Sequence, residues 1–190
     1  MIRKFLLVVI LLCLAGSALA APVPVDTAHS RLTVRVFKTG LFSGFAHDHE
    51  ISAPLSSGTI DAAALSVDVR FEARKMTVLD PDASASDRAK VQETMLSEKV
   101  LDAAKFPGIV FVSKNVKATG NNVYSVEGDL TLHGVTHAVT VPVSFANGHY
   151  TGSAKLKQTD FGIQPIKIAG GSVKVKDEID ISFDIVVQPN

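Results

Sequence analysis

Two imidazoles one residue apart, in His47-Asp48-His49, form the sharpest polar signal in the chain. On an extended backbone, residues i and i+2 project to the same side. His47 and His49 then converge on one point, and Asp48 faces away. Three uses of that geometry stay open. The pair can ligate a divalent metal ion, with a third donor drawn from His29, His137, His149 or a carboxylate. It can donate hydrogen bonds to the phosphate, carboxylate or quinone oxygen of a ligand head group. Or it satisfies backbone groups at a turn, with no ligand involved.

The remaining histidines and arginines carry weaker signals. His133 and His137 bracket a hairpin link and are expected at an exposed tip. His149 follows the turn signal Asn147-Gly148 and is expected to be exposed. His29 precedes the first strand and is expected to fold against the barrel. Arg31, Arg35, Arg70 and Arg74 are assigned to the outer, solvated face. A nucleophile elbow, a phosphate loop and a dinucleotide glycine fingerprint are all missing from the sequence, and no enzymatic activity is expected. Gly40-Leu41-Phe42-Ser43-Gly44 lacks the Lys-Ser/Thr ending that phosphate binding needs and reads as a connection.

Strands must position these groups. In Leu130 to Val143, two alternating, β-branched runs flank the link His133-Gly134-Val135-Thr136, which has hairpin length. Ile179, Ile181, Phe183, Ile185 and Val187 alternate with Asp180, Ser182 and Asp184. One apolar and one polar face mark an antiparallel sheet, and such a sheet curled apolar side inward is a barrel. Strands are expected at 31–37, 65–73, 109–116, 123–132, 138–145, 150–157 and 179–187. One further strand, interrupted at Pro54, spans 49–61. Residues 38–46 read as a short helical turn or wide turn at one barrel end. Val91, Met95 and Leu96 form one stripe of an inserted helix over 88–96. A long loop runs from Asp160 through Gly170-Gly171.

In a barrel, core positions and ligand lining are the same inward-facing residues. Phe37, Phe42, Phe45, Phe71, Phe111, Val141, Phe145, Phe183 and Ile185 are the candidate lining, with His47 and His49 at a polar end.

Four blocks of the chain resemble the YceI-like family, bacterial polyisoprenoid-binding proteins with a lipocalin-like barrel. They are Ser30 to Ile51 with Lys38-Thr39-Gly40-Leu41-Phe42-Ser43-Gly44-Phe45-Ala46-His47-Asp48-His49, and Met95 to Phe111 with Ala104-Lys105-Phe106-Pro107-Gly108. Gly128-Asp129-Leu130-Thr131-Leu132-His133-Gly134-Val135-Thr136 and Thr159-Asp160-Phe161-Gly162-Ile163 complete them. The resemblance implies an all-β, about eight-stranded antiparallel barrel with a short N-terminal helical turn and one inserted helix. It implies a non-enzymatic binding protein for a polyisoprenoid, isoprenoid quinone or fatty-acid derivative, with no required cofactor. Each buried CH₂ of such a tail contributes about 0.8 kcal/mol without polar recognition. A metal-binding or redox-accessory role for His47 and His49 is the competing reading.

The ends and the composition bound the setting. Arg3 and Lys4, the apolar run from Phe5 to Leu14, and Ala18-Leu19-Ala20 read as a cleaved signal peptide over 1–20. A single barrel domain over 21–190 follows. Leu12 before Cys13 opposes a lipoprotein anchor, which wants a small residue there. Cys13 is the one cysteine, so the exported domain carries no disulfide. Periplasmic export is expected. The expected partners are a long-chain lipid or isoprenoid and, transiently, a membrane. Edge-to-edge pairing into a homodimer stays open. No basic patch suggests nucleic acid.

Overall fold

The computed structural model describes residues 21–39, 48–168 and 173–188. Its strands are β1 (Val23–Pro24), β2 (Arg31–Thr39), β3 (His49–Ser52), β4 (Leu55–Asp61), β5 (Ser66–Glu72) and β6 (Thr77–Val78). After helix α1 (Ala85–Leu96) come β7 (Gly108–Gly120), β8 (Val123–Leu132), β9 (Val135–Ala146), β10 (His149–Lys157), β11 (Lys167–Ile168) and β12 (Val173–Val186). All pair antiparallel in one 12-stranded curled sheet, ordered β1-β4-β5-β7-β8-β9-β10-β12-β2-β3-β6, with β11 on β12. The all-β barrel class and the inserted helix are as expected. The expected turn at 38–46 lies almost wholly outside the described residues.

The strand count exceeds the expected eight or so, for two physical reasons. Ala53-Pro54 does not merely interrupt a strand; it turns the chain from one neighbour to another. β3 pairs with β2 and β6, whereas β4 pairs with β1 and β5. Three further strands, β1, β6 and β11, are two residues long, too short to show a period. The loop expected after Asp160 contains β11, preceded by a 3₁₀ turn at Gln158–Phe161.

Helix α1 starts before the expected Arg88 because Ser84 caps it. The Ser84 hydroxyl accepts from the Asp87 N–H at 3.1 Å, satisfying one of the helix's orphan donors. Met95 is buried, with Val91 and Leu96 half-buried beside the core. Gln92 fastens the helix to the sheet edge. Its amide accepts from Val78 N at 2.8 Å and donates to Met76 O at 2.8 Å. An edge strand covered in this way is blocked from pairing with another chain.

The N-terminal segment ties the sheet back on itself. Val25 N donates to Gly58 O at 2.9 Å, and Val25 also bridges Val187. Buried Ser30 accepts from Val186 N at 2.9 Å. Arg31, Arg35, Arg70 and Arg74 are exposed, as expected of the solvated face.

Candidate functional site

The inner face of the sheet encloses a cavity of about 280 Å³. Its walls are almost entirely aliphatic or phenylalanine side chains, including Leu32, Val34, Val126, Leu130 and Ile181. Of the residues expected to line it, Phe71, Phe111, Val141, Phe183 and Ile185 do so. The register explains their shared orientation. Ile185 pairs with Tyr150, Phe183 with Gly152, and Val141 with Val126, so period-two alternation carries one inner face across four strands.

Two phenylalanines lie against the wall rather than across the lumen. A Cβ on Gly128 would stand 2.6 Å from Phe111 Cζ, and one on Gly152 would stand 2.5 Å from Phe183 Cζ. Each ring occupies the space that a neighbouring strand leaves by having no side chain. This flat placement keeps the interior open.

Phe37 and Phe145 do not line the cavity. Val34 and Val36 take the inner positions of β2, so alternation sends Phe37 to the other face, where Lys176 Nζ lies 5.5 Å from its ring. Phe145 stacks on Tyr150 instead, with ring centroids 4.5 Å apart. Phe42, Phe45 and His47 lie outside the described residues.

His49 is also away from the cavity lining. Its Nδ1 lies 2.6 Å from Asp80 Oδ2, whose side chain is only 3% exposed. Asp80 Oδ1 accepts the Glu50 N–H at 2.8 Å. One buried carboxylate thus orients both the imidazole and the β3 backbone, and it does so from a residue with φ +22°. A separate polar hollow surrounds this pair, bordered by Arg35, Phe37, Lys38, Asp48, Pro81 and Asp82. Among the described residues, no group of three or more His, Cys, Asp or Glu could hold a metal ion.

The polar groups that reach the cavity lining are Asp61, Ser66, Tyr124, Tyr150, Lys157 and Gln158. Asp61 is turned toward its own loop, accepting from Ala63 N at 2.9 Å and Ala64 N at 2.7 Å. Gln158 donates to Lys176 O at 2.8 Å. Tyr124 and Tyr150 remain as phenols facing the interior. Burial, with a smaller contribution from Tyr124, pushes the Tyr150 pKa above its ordinary value, so it stays a neutral hydrogen-bonding group. Neither tyrosine was among the sequence candidates. Their signal was available, since Tyr124 has the same parity as Val126, and Tyr150 the same as Ala154.

The two ends of the cavity differ. Beside Tyr124 and Tyr150, the lining includes Ala62 and Leu65 of the β4–β5 turn and Ser66 at the start of β5, all exposed. At the far end, the described residues include buried Phe161, Ile163, Met95 and Leu101. Three separated stretches of sequence meet there. Half-buried His133, expected to be exposed, brings Nδ1 within 3.2 Å of Phe161 O and stands edge-on to Phe106. His137 and His149 are exposed as expected, the latter 2.7 Å from Asp184. His29 is exposed and paired with Asp26 at 2.7 Å rather than folded against the barrel, and this hydrogen bond lowers the Asp26 pKa.

Comparison with known proteins fits this architecture. A family model for the YceI-like domain matches residues 24–187. A UPF0312 protein of Pseudomonas savastanoi pv. phaseolicola is 35% identical over 125 residues, which is 60% of this chain and 62% of that protein. The chain thus spans less than two thirds of that relative's length. A UPF0312 protein of Pseudomonas putida strain W619 is 30% identical over 189 residues, covering 92% of this chain and 91% of its own. Among solved structures, Burkholderia cenocepacia BcnA superposes with a TM-score of 0.64 at 22% identity, covering 86% of this chain and 99% of its own. The Campylobacter jejuni YCEI protein gives a TM-score of 0.52 at 17% identity, covering 74% of this chain and 82% of its own. At these identities the two structures speak to the fold alone. The match across 24–187, together with the curled antiparallel sheet around an apolar interior, makes this chain a member of the YceI-like domain family.

Proposed function

We propose that this protein is an exported, non-enzymatic carrier that encloses the apolar tail of a long-chain amphiphile, such as a polyisoprenoid, an isoprenoid quinone or a fatty-acid derivative. The observation that carries this reading is the cavity of about 280 Å³ with a nearly unbroken hydrocarbon lining. Its size is close to the lower end of ligand pockets, about 300–1,000 Å³. A tail in that lining gains affinity from area alone, about 25 cal/mol per Å² removed from water, so selection by chain length is loose. The polar head sits near Tyr124 and Tyr150, whose hydroxyls donate and accept hydrogen bonds.

Export rests on the signal-like features of residues 1–20, and the mature protein then begins at Ala21. N-terminal sequencing of the exported fraction checks this step. Met1 at the terminus, or lipid on Cys13, contradicts it.

The central test is organic extraction of purified protein followed by mass spectrometry, on the wild type and on Ala154→Phe. Ala154 lines the cavity, and a ring there fills the lumen. Co-purified lipid that is lost in a folded Ala154→Phe supports the carrier. Wild-type protein that neither retains nor takes up any long-chain amphiphile overturns it.

A further inference from the structure

The β4–β5 turn has an unusual combination of features. Ala62, Ala63, Ala64 and Leu65 are all exposed, and no charge separates them. Leu65 is 47% exposed. It also holds φ +52°, a left-handed conformation that is costly for a branched apolar residue. Yet Ala62 and Leu65 belong to the cavity lining. The same surface is therefore both lumen wall and protein exterior.

The neighbouring tips extend this surface. Register places the β7–β8 turn, Gly120-Asn121-Asn122-Val123, and the β9–β10 turn, Ala146-Asn147-Gly148-His149, at the same end of the barrel. Neither contains Asp, Glu, Lys or Arg, and Val123 is 38% exposed. The opposite end carries exposed Lys105, Lys157, Asp160 and Lys176. The chain also enters the fold at this end. Val23 pairs with Ile60, so the first strand of the domain lies beside this turn.

We propose that this end is a portal that seats on an uncharged or zwitterionic lipid surface, with Leu65 as its inserted lip, so that the ligand passes from bilayer to cavity without crossing water. The proposal rests on the carrier reading and specifies where loading occurs. Two features commit it to lipid. The lining is continuous with the exposed tip, and the turn residues 62–65, 120–123 and 146–149 contain no Asp, Glu, Lys or Arg, while the flanking Asp61 spends its carboxylate on the Ala63 and Ala64 N–H groups. A tip that buries apolar area in the headgroup boundary binds weakly and reversibly, as a shuttle requires.

The test uses the mature chain and phosphatidylcholine vesicles carrying a pyrene-labelled long-chain alcohol. Loss of excimer emission reports withdrawal into the protein. The variants are Leu65→Asn and Ala63→Glu. Asn tolerates the left-handed conformation, so Leu65→Asn keeps or raises the melting temperature while removing the apolar lip. Each variant should slow transfer from vesicles about tenfold, because the lost insertion of one apolar side chain is of that order. Ala63→Glu, outside the cavity lining, should retain equilibrium uptake of the same probe presented in detergent micelles. Wild-type transfer should rise with vesicle concentration and be insensitive to salt.

Unchanged transfer in both folded variants overturns the portal and leaves the carrier standing. So does a wild-type rate independent of vesicle concentration, or one that needs anionic lipid at low salt. A concentration-dependent dimer that both variants dissolve would assign this end to a second copy of the chain and also overturn the portal. If the wild type takes up probe from neither vesicles nor micelles, the carrier reading fails and the portal fails with it.

Discussion

Phe106 stands edge-on to His133, with ring centroids 4.6 Å apart and an interplanar angle of 64°. The two residues come from different stretches of the chain, and their meeting covers the far end of the cavity. Gly134, at φ +74°, makes room for the Phe106 ring. A Cβ there would overlap the ring and would also be strained by the positive φ. Gly134→Ala should therefore lower stability by about 2 kcal/mol or more. Urea unfolding would show this as a reduced midpoint with an unchanged slope, and an unaltered midpoint would contradict it.

The inner and outer faces of β12 give a paired prediction. Ile185 is buried in the cavity wall, whereas Ser182 is exposed. Ile185→Asp places an uncompensated charge among hydrocarbon and should cost about 3–5 kcal/mol or abolish folding. Ser182→Asp should change stability by no more than about 0.5 kcal/mol. Thermal unfolding of the two variants side by side tests the register. Equal tolerance would mean that the strand faces the other way.

Much of this register was legible because it rests on a local period. Alternation in β8, β9, β10 and β12 was enough to place Val141, Phe183 and Ile185 inward, and Val91 and Met95 revealed the helix. The other features depend on pairings that a local pattern does not encode. His49 and Asp80 are 31 positions apart, and nothing near His49 announces a buried carboxylate. His133 resembled an exposed tip because Phe106 and Phe161 come to it from distant segments. Phe37 was misplaced by residue type outweighing parity, since Val34 and Val36 already claimed the inner face. Tyr124 and Tyr150 were missed for the converse reason, as polar tips on side chains whose bodies belong to the wall.

The Asp80 carboxylate has two partners, and its variants should separate them. Asp80→Asn retains an acceptor for the Glu50 N–H and tolerates the positive φ, so a loss of about 1 kcal/mol is expected. Asp80→Leu leaves that N–H and the His49 imidazole unpaired and should cost about 2–4 kcal/mol. Hydrogen exchange at Glu50 is the direct readout. It should stay slow in Asp80→Asn and accelerate in Asp80→Leu, and equal exchange in the two would remove Asp80 from its anchoring role.

Acid should loosen the turn that carries Phe161. Asp177 accepts from the Thr159 hydroxyl at 2.7 Å and from Thr159 N at 2.9 Å. These bonds, the hydroxyl's first, hold its carboxyl below the usual aspartate range. A folded-state pKa below the unfolded one stabilises above the unfolded value, and that stabilisation is lost as pH falls through the folded value. Stability should thus decline below about pH 4, and Asp177→Asn should show a shallower decline. The effect at neutral pH should be at most about 1 kcal/mol, because solvent screens so exposed a group. Melting temperatures from pH 2 to 7 for both proteins would settle the sign.

The clasp formed by Val25 and Ser30 has a kinetic consequence. Ser30 immediately precedes β2, yet its partner Val186 lies 156 positions later. Closing so large a loop carries an entropic cost that only the finished set of strands can offset. Hairpins such as β8–β9 can form as soon as they emerge, but the ring cannot shut until the final strand arrives. The chain therefore stays open, and threadable, until β12 has been made.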